Sequence, residues 1–338
     1  MCDFSFVLKK NIDYLVFIIY YCLHMNETDI KKLLKKSSTI KPKTLIMDDL
    51  KWKYMVRSTV RSKNILLLGP TGCGKTLAAQ SVAKVLGDES KFFYFNLGAT
   101  QDARSVLIGN THFNSKTGTV FKESTFVKAI TTPNAVILLD EISRAHHDCV
   151  NILMTVLDDL QRYLRLDEKE DNHLIHVADG VTFISTANIG TEYTATRVMD
   201  RALLSRFPVK IEMNPLDGDS EYSLLQNRFK IKNEQENYIL KSVCDIADHT
   251  RKQVLMDDSK ITNFIPTRTT VEIAELIVDG FTLEEIAETT IYPNFSKDGG
   301  VDSERVYMKQ LVQKYIKNDS DEELYTGPSV NSEEEIPF

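Results

Sequence analysis

Gly69-Pro-Thr-Gly-Cys-Gly-Lys75-Thr76 decides the fold, because its G-x-x-x-x-G-K-[ST] spacing is that of a phosphate-binding loop. The glycines allow a tight turn whose backbone N–H groups face phosphate oxygens, and the next helix adds its positive end. A short apolar run, Asn64–Leu68, precedes the loop, and Lys75–Leu86 has helical apolar spacing. The predicted nucleotide-binding residues are Gly69, Pro70, Thr71, Gly72, Cys73, Gly74, Lys75, Thr76 and Leu77.

Two carboxylates follow another apolar strand, in Ala135–Glu141 (AVILLDE). Ligands of open α/β sheets bind at the carboxyl ends of the strands. Asp140 therefore suits Mg²⁺, together with the Thr76 hydroxyl, while Lys75 reaches the β- and γ-phosphates of ATP. Glu141 suits the general base that activates the attacking water.

Three further elements contribute polar side chains. Asn188 follows the apolar run Val181–Thr186, where its amide is suited to orienting water or the γ-phosphate, although Asn also commonly caps helices. Arg201 and Arg206, in RALLSRF, are candidates for an arginine supplied to a neighbouring subunit, or else surface ion-pair residues. Arg268 opens a helix from which it would reach the phosphates.

Short apolar runs separated mostly by helical stretches predict an α/β fold with a parallel sheet covered on both faces. The runs are Asn64–Leu68, Phe92–Asn96, Ala135–Leu139, Val181–Thr186 and Val209–Met213. After Pro215 the spacing is helical, in Ser220–Lys230, Glu234–Lys252, Thr267–Asp279 and Leu283–Thr289. We expect an α/β domain over residues 45–214 and a helical domain over 215–317.

The charge is unevenly distributed along the 338 residues, whose formal net charge is -7. Residues 318–338 contain seven acids and no Lys or Arg, so the remaining chain is neutral. That tail is predicted to be disordered, and a neutral body argues against a surface built wholly for nucleic acid. From Lys31 to Lys63 there are eleven Lys or Arg and two acids, which predicts a solvated basic face or a docking surface for an acidic partner.

The N-terminal segment, residues 1–44, includes a ten-residue apolar run, Tyr14–Leu23, before the basic helix Ile30–Ile40. About 20 such residues are needed to span a bilayer, so no stable membrane insertion is expected. The run is a buried or docking helix, an anchor, or a translated leader upstream of a start at Met25. Five cysteines without a C-x-x-C pair favour a reducing cytosol over a disulfide framework or a structural zinc site.

Together these motifs resemble the AAA+ ATPases over residues 45–290. The resemblance implies an αβα ATPase core followed by a helical lid, and a ring, usually hexameric, with ATP between subunits. Gly69–Thr76 corresponds to Walker A and Asp140–Glu141 to Walker B. Asn188 corresponds to sensor 1, Arg268 to sensor 2, and Arg206 to the arginine finger, with Arg201 as the second choice.

Two insertions are similar to those of the MoxR and CobS-type group, which includes dynein-related ATPases. Residues 102–124 resemble a helix-2 insert and residues 162–177 a pre-sensor-1 hairpin, and Thr186–Thr196 also looks like this group. The resemblance implies remodelling of a partner protein or loading of its metal cofactor, often with a von Willebrand factor A (VWA) domain partner.

Three function classes are compared: a remodelling ATPase, a nucleic-acid-dependent motor with the same insertions, and a non-hydrolysing scaffold. Gripping phosphates requires basic hairpin tips, but Asp167–Asp171 has four acids and one base. Nucleic acid is therefore the less favoured partner, and Glu141 with an arginine finger candidate argues against the scaffold. His146 and His147 are interpreted as surface or capping residues, because adjacent helical residues face different directions.

Overall fold

The computed structural model describes residues 26–86, 89–114, 118–167, 173–188, 199–256 and 258–316. The chain divides into two units, one ending at Leu216 and the other beginning at Asp217. The acidic tail, the apolar run Tyr14–Leu23 and most of the acidic hairpin tip lie outside the described residues. Among the described helices, none has both the length and the apolar composition that a bilayer crossing requires.

In the first unit, the described residues form nine strands and eight α-helices. The strands are β1 (Ile65–Leu68), β2 (Phe92–Asn96), β3 (Gly109–Asn114), β4 (Gly118–Glu123), β5 (Val136–Asp140), β6 (Tyr163–Arg165), β7 (Leu174–His176), β8 (Thr182–Ala187) and β9 (Val209–Glu212). The helices are α1 (Glu27–Lys35), α2 (Ser37–Ile40), α3 (Asp49–Val60), α4 (Lys75–Leu86), α5 (Ala103–Leu107), α6 (Thr125–Thr131), α7 (His147–Val156) and α8 (Arg201–Ser205).

The central sheet has the strand order β2-β5-β8-β1-β9, and its neighbouring strands pair in parallel. Successive strand residues point to opposite faces. Leu66 and Ile137 accordingly pack with α6 and α7, whereas Leu67 and Leu138 pack in a second core with α3 and α4. Both faces are buried, which explains the continuous apolar runs and confirms the predicted α/β fold class.

Two antiparallel hairpins interrupt the α/β alternation at the positions of the two predicted insertions. One is β3–β4 and the other is β6–β7. Val106 and Leu107, within the predicted insertion 102–124, belong to α5, which precedes the first hairpin. Asp102 caps this helix by accepting a hydrogen bond from Ser105 N at 3.1 Å. His146 likewise accepts from Asp148 N at 3.4 Å at the start of α7, which confirms its capping role.

The predicted helix over Ile30–Ile40 is broken into α1 and α2 at Lys36. The Ser37 hydroxyl donates to Leu34 O at 2.9 Å, and the Trp52 indole donates to Ser37 O at 2.9 Å. Trp52 is fully buried. Apolar spacing alone does not reveal the break, because it depends on a tertiary hydrogen bond from α3.

The described part of the second unit is helical. It contains α9 (Gly218–Phe229), α10 (Glu234–Val254), α11 (Thr267–Val278), α12 (Leu283–Ile286) and α13 (Glu304–Gln313). The predicted helix Leu283–Thr289 is α-helical only to Ile286 and continues as a π-helix, Ala287–Ile291. Helix α13 is not among the predicted helices, although its buried Met308, Leu311 and Val312 have helical spacing.

A buried ion pair joins three helices of the second unit. The Arg251 guanidinium on α10 donates two hydrogen bonds to the Glu221 carboxylate on α9, at 2.8 and 2.9 Å. The Thr270 hydroxyl on α11 donates to the same carboxylate at 2.7 Å, and Arg251 Nε donates to Ile265 O at 3.0 Å. Glu221 is fully buried. These bonds fix the start of α11, which carries Arg268.

Glu221→Gln is expected to lower the free energy of unfolding by about 3–5 kcal/mol, because the buried Arg251 charge loses its carboxylate. Urea denaturation of the full chain, followed by circular dichroism, measures the change. Asp219→Asn is the matched control, since Asp219 forms an exposed ion pair with Lys241 at 2.6 Å. The control is expected to cost less than about 1 kcal/mol. Equal losses in the two variants would contradict the role of the buried pair.

Candidate active site

The phosphate-binding loop connects the end of β1 to the start of α4. Gly69 cannot be replaced without displacing backbone, because a Cβ there would lie 2.2 Å from Met213 O, just after β9. Gly72 and Gly74 also have positive φ angles, 81° and 86°. The loop therefore turns tightly against the sheet, and its backbone continues directly into the first turn of α4.

Lys75 is almost fully buried within the loop. Its ammonium donates to Gly69 O at 2.8 Å and to Pro70 O at 2.7 Å. Burial lowers the pKa of Lys75, and the nearby Cys73 and Asp140 oppose that shift. The Cys73 thiol is buried, and burial raises its pKa. The lysine is thus held at the loop where phosphate oxygens are expected.

Asp140 is surrounded by hydroxyl groups from neighbouring elements. Its Oδ2 accepts from the Thr76 hydroxyl at 3.4 Å, and its Oδ1 accepts from the Thr186 hydroxyl. The Thr186 hydroxyl oxygen also accepts from Glu141 N at 2.9 Å. β5 runs one residue beyond the predicted strand and so includes Asp140. These contacts bring α4, β5 and β8 together at one carboxylate.

Glu141 adopts a left-handed backbone conformation, with φ at 56°, directly after β5. Its Oε2 lies 3.4 Å from the Arg144 guanidinium, and its side chain is about one-third exposed. Gly98, in the loop after β2, leaves room for this carboxylate, because a Cβ there would lie 2.3 Å from Oε2. The candidate base Glu141 is therefore in ionic contact with Arg144, and its carboxylate packs against Gly98.

Asn188 follows the carboxyl end of β8 and is half-buried. Because β8 lies between β5 and β1, the structure brings Asn188, Glu141 and the phosphate-binding loop to the same edge of the sheet. Leu77, also predicted at the nucleotide, lies in the first turn of α4 and is 41% exposed. The roles of these residues stay predictions.

Arg206 is not at this edge. Its backbone oxygen accepts from Asn64 Nδ2 at 2.9 Å, and Asn64 precedes β1 at the opposite end from the loop. At about 3.3 Å per residue, the four residues of β1 separate the two ends by roughly 13 Å. The Arg206 guanidinium donates to Met154 O and Ala202 O at 2.7 Å, and lies 3.4 Å from Asp158 Oδ2.

The other two candidate arginines are exposed. Arg201 is the first residue of α8. The preceding residue, Asp200, caps this helix by accepting a hydrogen bond from Ala202 N at 2.9 Å. Arg268 lies in the first turn of α11. Their roles stay predictions.

Four residues beside the candidate carboxylates were not among the predicted site residues: Thr186, Gly98, Arg144 and Tyr94. The Tyr94 hydroxyl lies 3.1 Å from Asp140 Oδ2. A usable signal is the position of Gly98, two residues after the predicted strand Phe92–Asn96, at the ligand-binding end of the sheet. Tyr94 has no comparable signal, because it lies within an aromatic run, Phe92–Phe95, that is typical of a buried strand.

Residues 64–207 match the family model described as AAA domain, dynein-related subfamily. A putative chaperone, BssE of Thauera aromatica, is 31% identical over 223 residues, which cover 66% of this chain and 72% of that protein. The chain belongs to the AAA+ family. An uncharacterized protein of Staphylococcus epidermidis is 30% identical over 203 residues, 59% of this chain and 73% of that one.

The same fold occurs in a closed-state structure of Hsp104 with ATPγS and FITC casein. The TM-score is 0.50 at 20% identity, and the match covers 82% of this AAA+ chain and 51% of the Hsp104 chain. This chain thus corresponds to about half of the Hsp104 chain. Family membership and the phosphate-binding loop imply ATP binding and ATPase activity.

The residues present fit Mg²⁺ as well. Thr76 and Asp140 place a hydroxyl and a carboxylate oxygen 3.4 Å apart beside the phosphate-binding loop. Mg²⁺ prefers such hard oxygen ligands and is commonly bound by one carboxylate together with nucleotide phosphates.

Gly98→Ala is expected to leave ATP affinity nearly unchanged and to lower the ATPase turnover number by at least about tenfold, by displacing the Glu141 carboxylate. Nucleotide titration and steady-state phosphate release measure the two quantities. Ala99→Ser is the matched control, because Ala99 is exposed in the same loop. Normal turnover in the Gly98 variant would remove the steric role of this glycine.

Proposed function

We propose that this AAA+ protein uses ATP hydrolysis to remodel a protein partner. The observation that carries the proposal is an exposed aromatic side chain, Phe113, on a hairpin of the ATPase unit. Phe113 is 80% exposed and Val120, on the adjacent strand β4, is 45% exposed. Apolar groups displayed in this way suit polypeptide side chains better than a phosphate backbone.

The hairpin β3–β4 is attached firmly to the ATPase core. Ser124 N donates to Ile108 O at 3.0 Å across its base, and Phe121 packs against the core that contains β5. In the second hairpin, Leu164 and Ile175 are buried in the same core, while Leu174 is 42% exposed. Shared packing is the proposed route by which movements at the nucleotide-binding end of the sheet reach both hairpins.

The proposed reaction uses this chain's residues in separate roles. The loop Gly69–Thr76 binds the ATP phosphates, and Thr76 and Asp140 would hold Mg²⁺. When bound there, Mg²⁺ would neutralise charge on the phosphates. Glu141 accepts a proton from the attacking water, which Asn188 orients.

The proposed assembly is a homo-oligomeric ring, and a hexamer is the expected form. Arg206 acts on the nucleotide of the neighbouring subunit, since its place beyond the opposite end of β1 suits action between subunits better than within one. Arg268 adds charge at the γ-phosphate. The finer proposal is a chaperone of MoxR or CobS type that acts on a VWA-domain partner or inserts its metal cofactor, in the cytoplasm. The similarity to a putative chaperone of Thauera aromatica supports a chaperone role.

Glu141→Gln is expected to keep ATP affinity and to lower turnover by about 10²–10⁴-fold, because the water loses its proton acceptor. This variant with ATP should retain the partner on pull-down, and adding Phe113→Ser should release it. Nucleotide titration, phosphate release and mass spectrometry of the captured proteins measure these outcomes.

Leu255→Ser in the same Glu141→Gln background is the matched control, because Leu255 is 84% exposed in the second unit. It should leave capture unchanged. Near-normal hydrolysis by the Glu141 variant would refute the assignment of the base. Salt-dependent stimulation of the ATPase by DNA, with capture independent of Phe113, would instead favour the nucleic-acid motor.

Arg206→Ala is expected to lower turnover on the order of 10³-fold while preserving ATP binding. When it is mixed with Lys75→Ala protein, part of the activity should return. Sites then form between an intact loop on one subunit and an intact arginine on the next. Phosphate release over a series of mixing ratios measures the recovery.

Arg201→Ala, mixed in the same way, is the matched comparison, because Arg201 lies in the same helical segment but is exposed. Recovery with the Arg201 variant alone would transfer the finger role to Arg201. Absence of recovery at every ratio with both variants would contradict action between subunits.

A further inference from the structure

Tyr94 contacts Asp140, the candidate metal ligand. It belongs neither to the phosphate-binding loop nor to the Asp140–Glu141 motif. It lies on β2, the edge strand of the sheet, directly opposite Leu138 of β5. Its hydroxyl reaches forward along the strand and donates to Asp140 Oδ2 at 3.1 Å. The side chain is 47% exposed, unlike Phe95 beside it, which is buried.

The two oxygens of Asp140 have different partners. Oδ1 accepts from Thr186 on β8, whereas Oδ2 accepts from both Thr76 on α4 and Tyr94 on β2. Oδ2 is therefore the oxygen on the Thr76 side, where a metal ion shared with Thr76 would bind. Tyr94 approaches this same oxygen from β2, the outermost strand on that side of the sheet.

The Tyr94 hydroxyl donates to a charged acceptor, the Asp140 carboxylate. A hydrogen bond to an ionised acceptor is stronger than one between two neutral groups. Among the described residues, the other hydrogen bond to Oδ2 is the longer one from Thr76, at 3.4 Å.

We propose that Tyr94 is a positioning residue for Asp140, and that its hydroxyl sets the affinity of the site for the divalent cation bound with ATP. The proposal rests on the proposed ATPase function and deepens it. Tyr94 orients the carboxylate that holds the metal ion, as partners of metal ligands generally do. It is not required for binding the nucleotide phosphates themselves, which contact the loop and Lys75.

The test uses the full chain with Glu141→Gln, so that ATP is retained during titration. Mn²⁺ binding to the ATP-loaded protein is measured by electron paramagnetic resonance, and ATP binding is measured separately with EDTA present. Adding Tyr94→Phe is expected to weaken Mn²⁺ affinity about three- to tenfold, the size expected from loss of one hydrogen bond to a charged group. ATP affinity in EDTA should not change.

A second measurement uses the chain with Glu141 intact. Tyr94→Phe should raise the Mg²⁺ concentration for half-maximal ATPase activity by a similar factor, while turnover at saturating Mg²⁺ stays near normal. Tyr238→Phe is the matched control: Tyr238 is 38% exposed and its hydroxyl donates to Tyr315 O at 2.9 Å, away from Asp140. This control should shift neither curve.

Unchanged or tighter Mn²⁺ affinity in the Tyr94 variant would overturn the proposal. Tighter binding would mean that the phenol competes with the metal ion for Oδ2. Equal losses of ATP affinity with and without metal would also overturn it, because they would indicate general damage to the loop. If the Glu141→Gln parent bound no nucleotide at all, the proposed function itself would fail, which is a separate result from a failure confined to Tyr94→Phe.

Discussion

The rest of the site depends on the hydrogen bonds that hold the Asp140 carboxylate. Hydroxyl groups from neighbouring elements donate them. Thr76 reaches the carboxylate from the helix that follows the phosphate-binding loop, and Thr186 reaches it from β8. Thr186 in turn accepts from the backbone N–H of Glu141, so one hydroxyl group contacts both the candidate base and the candidate metal ligand. Parallel pairing makes this possible, because it brings the carboxyl ends of β1, β5 and β8 to one edge.

The opposite edge of the same sheet holds the arginine that the proposed reaction needs from a neighbour. Arg206 contacts two backbone carbonyls and Asp158, and Asn64 ties its backbone to the start of β1. A rigid sheet with the nucleotide edge at one end and this arginine at the other suits a head-to-tail ring, in which each subunit completes the next site. The hairpins pack on the same core, which is the physical basis proposed for coupling them to hydrolysis.

Much of the fold follows from local patterns. The run Phe92–Asn96 and the helix Lys75–Leu86 were predicted with the bounds that the structure has. Errors occur where a tertiary contact overrides local spacing. The Trp52 indole bond to Ser37 O accompanies the break between α1 and α2. Helix α13 is a different case, because its helical spacing is present in the sequence although no helix was predicted there. The side-chain neighbours of the carboxylates, Tyr94 and Gly98, were likewise outside the prediction, since each comes from a strand or loop paired through space.

The sequence by itself determined the phosphate-binding loop, the apolar strand that ends in Asp140–Glu141, and therefore the α/β class and the AAA+ resemblance. These features are encoded in consecutive residues, because a loop, a strand and a capped helix each depend on local spacing. Only the tertiary structure decided which side chains meet at Asp140, that Gly98 borders Glu141, and that Arg206 lies beyond the far end of β1. Those relations depend on strand order and register, which bring together residues about 45 positions apart in the sequence.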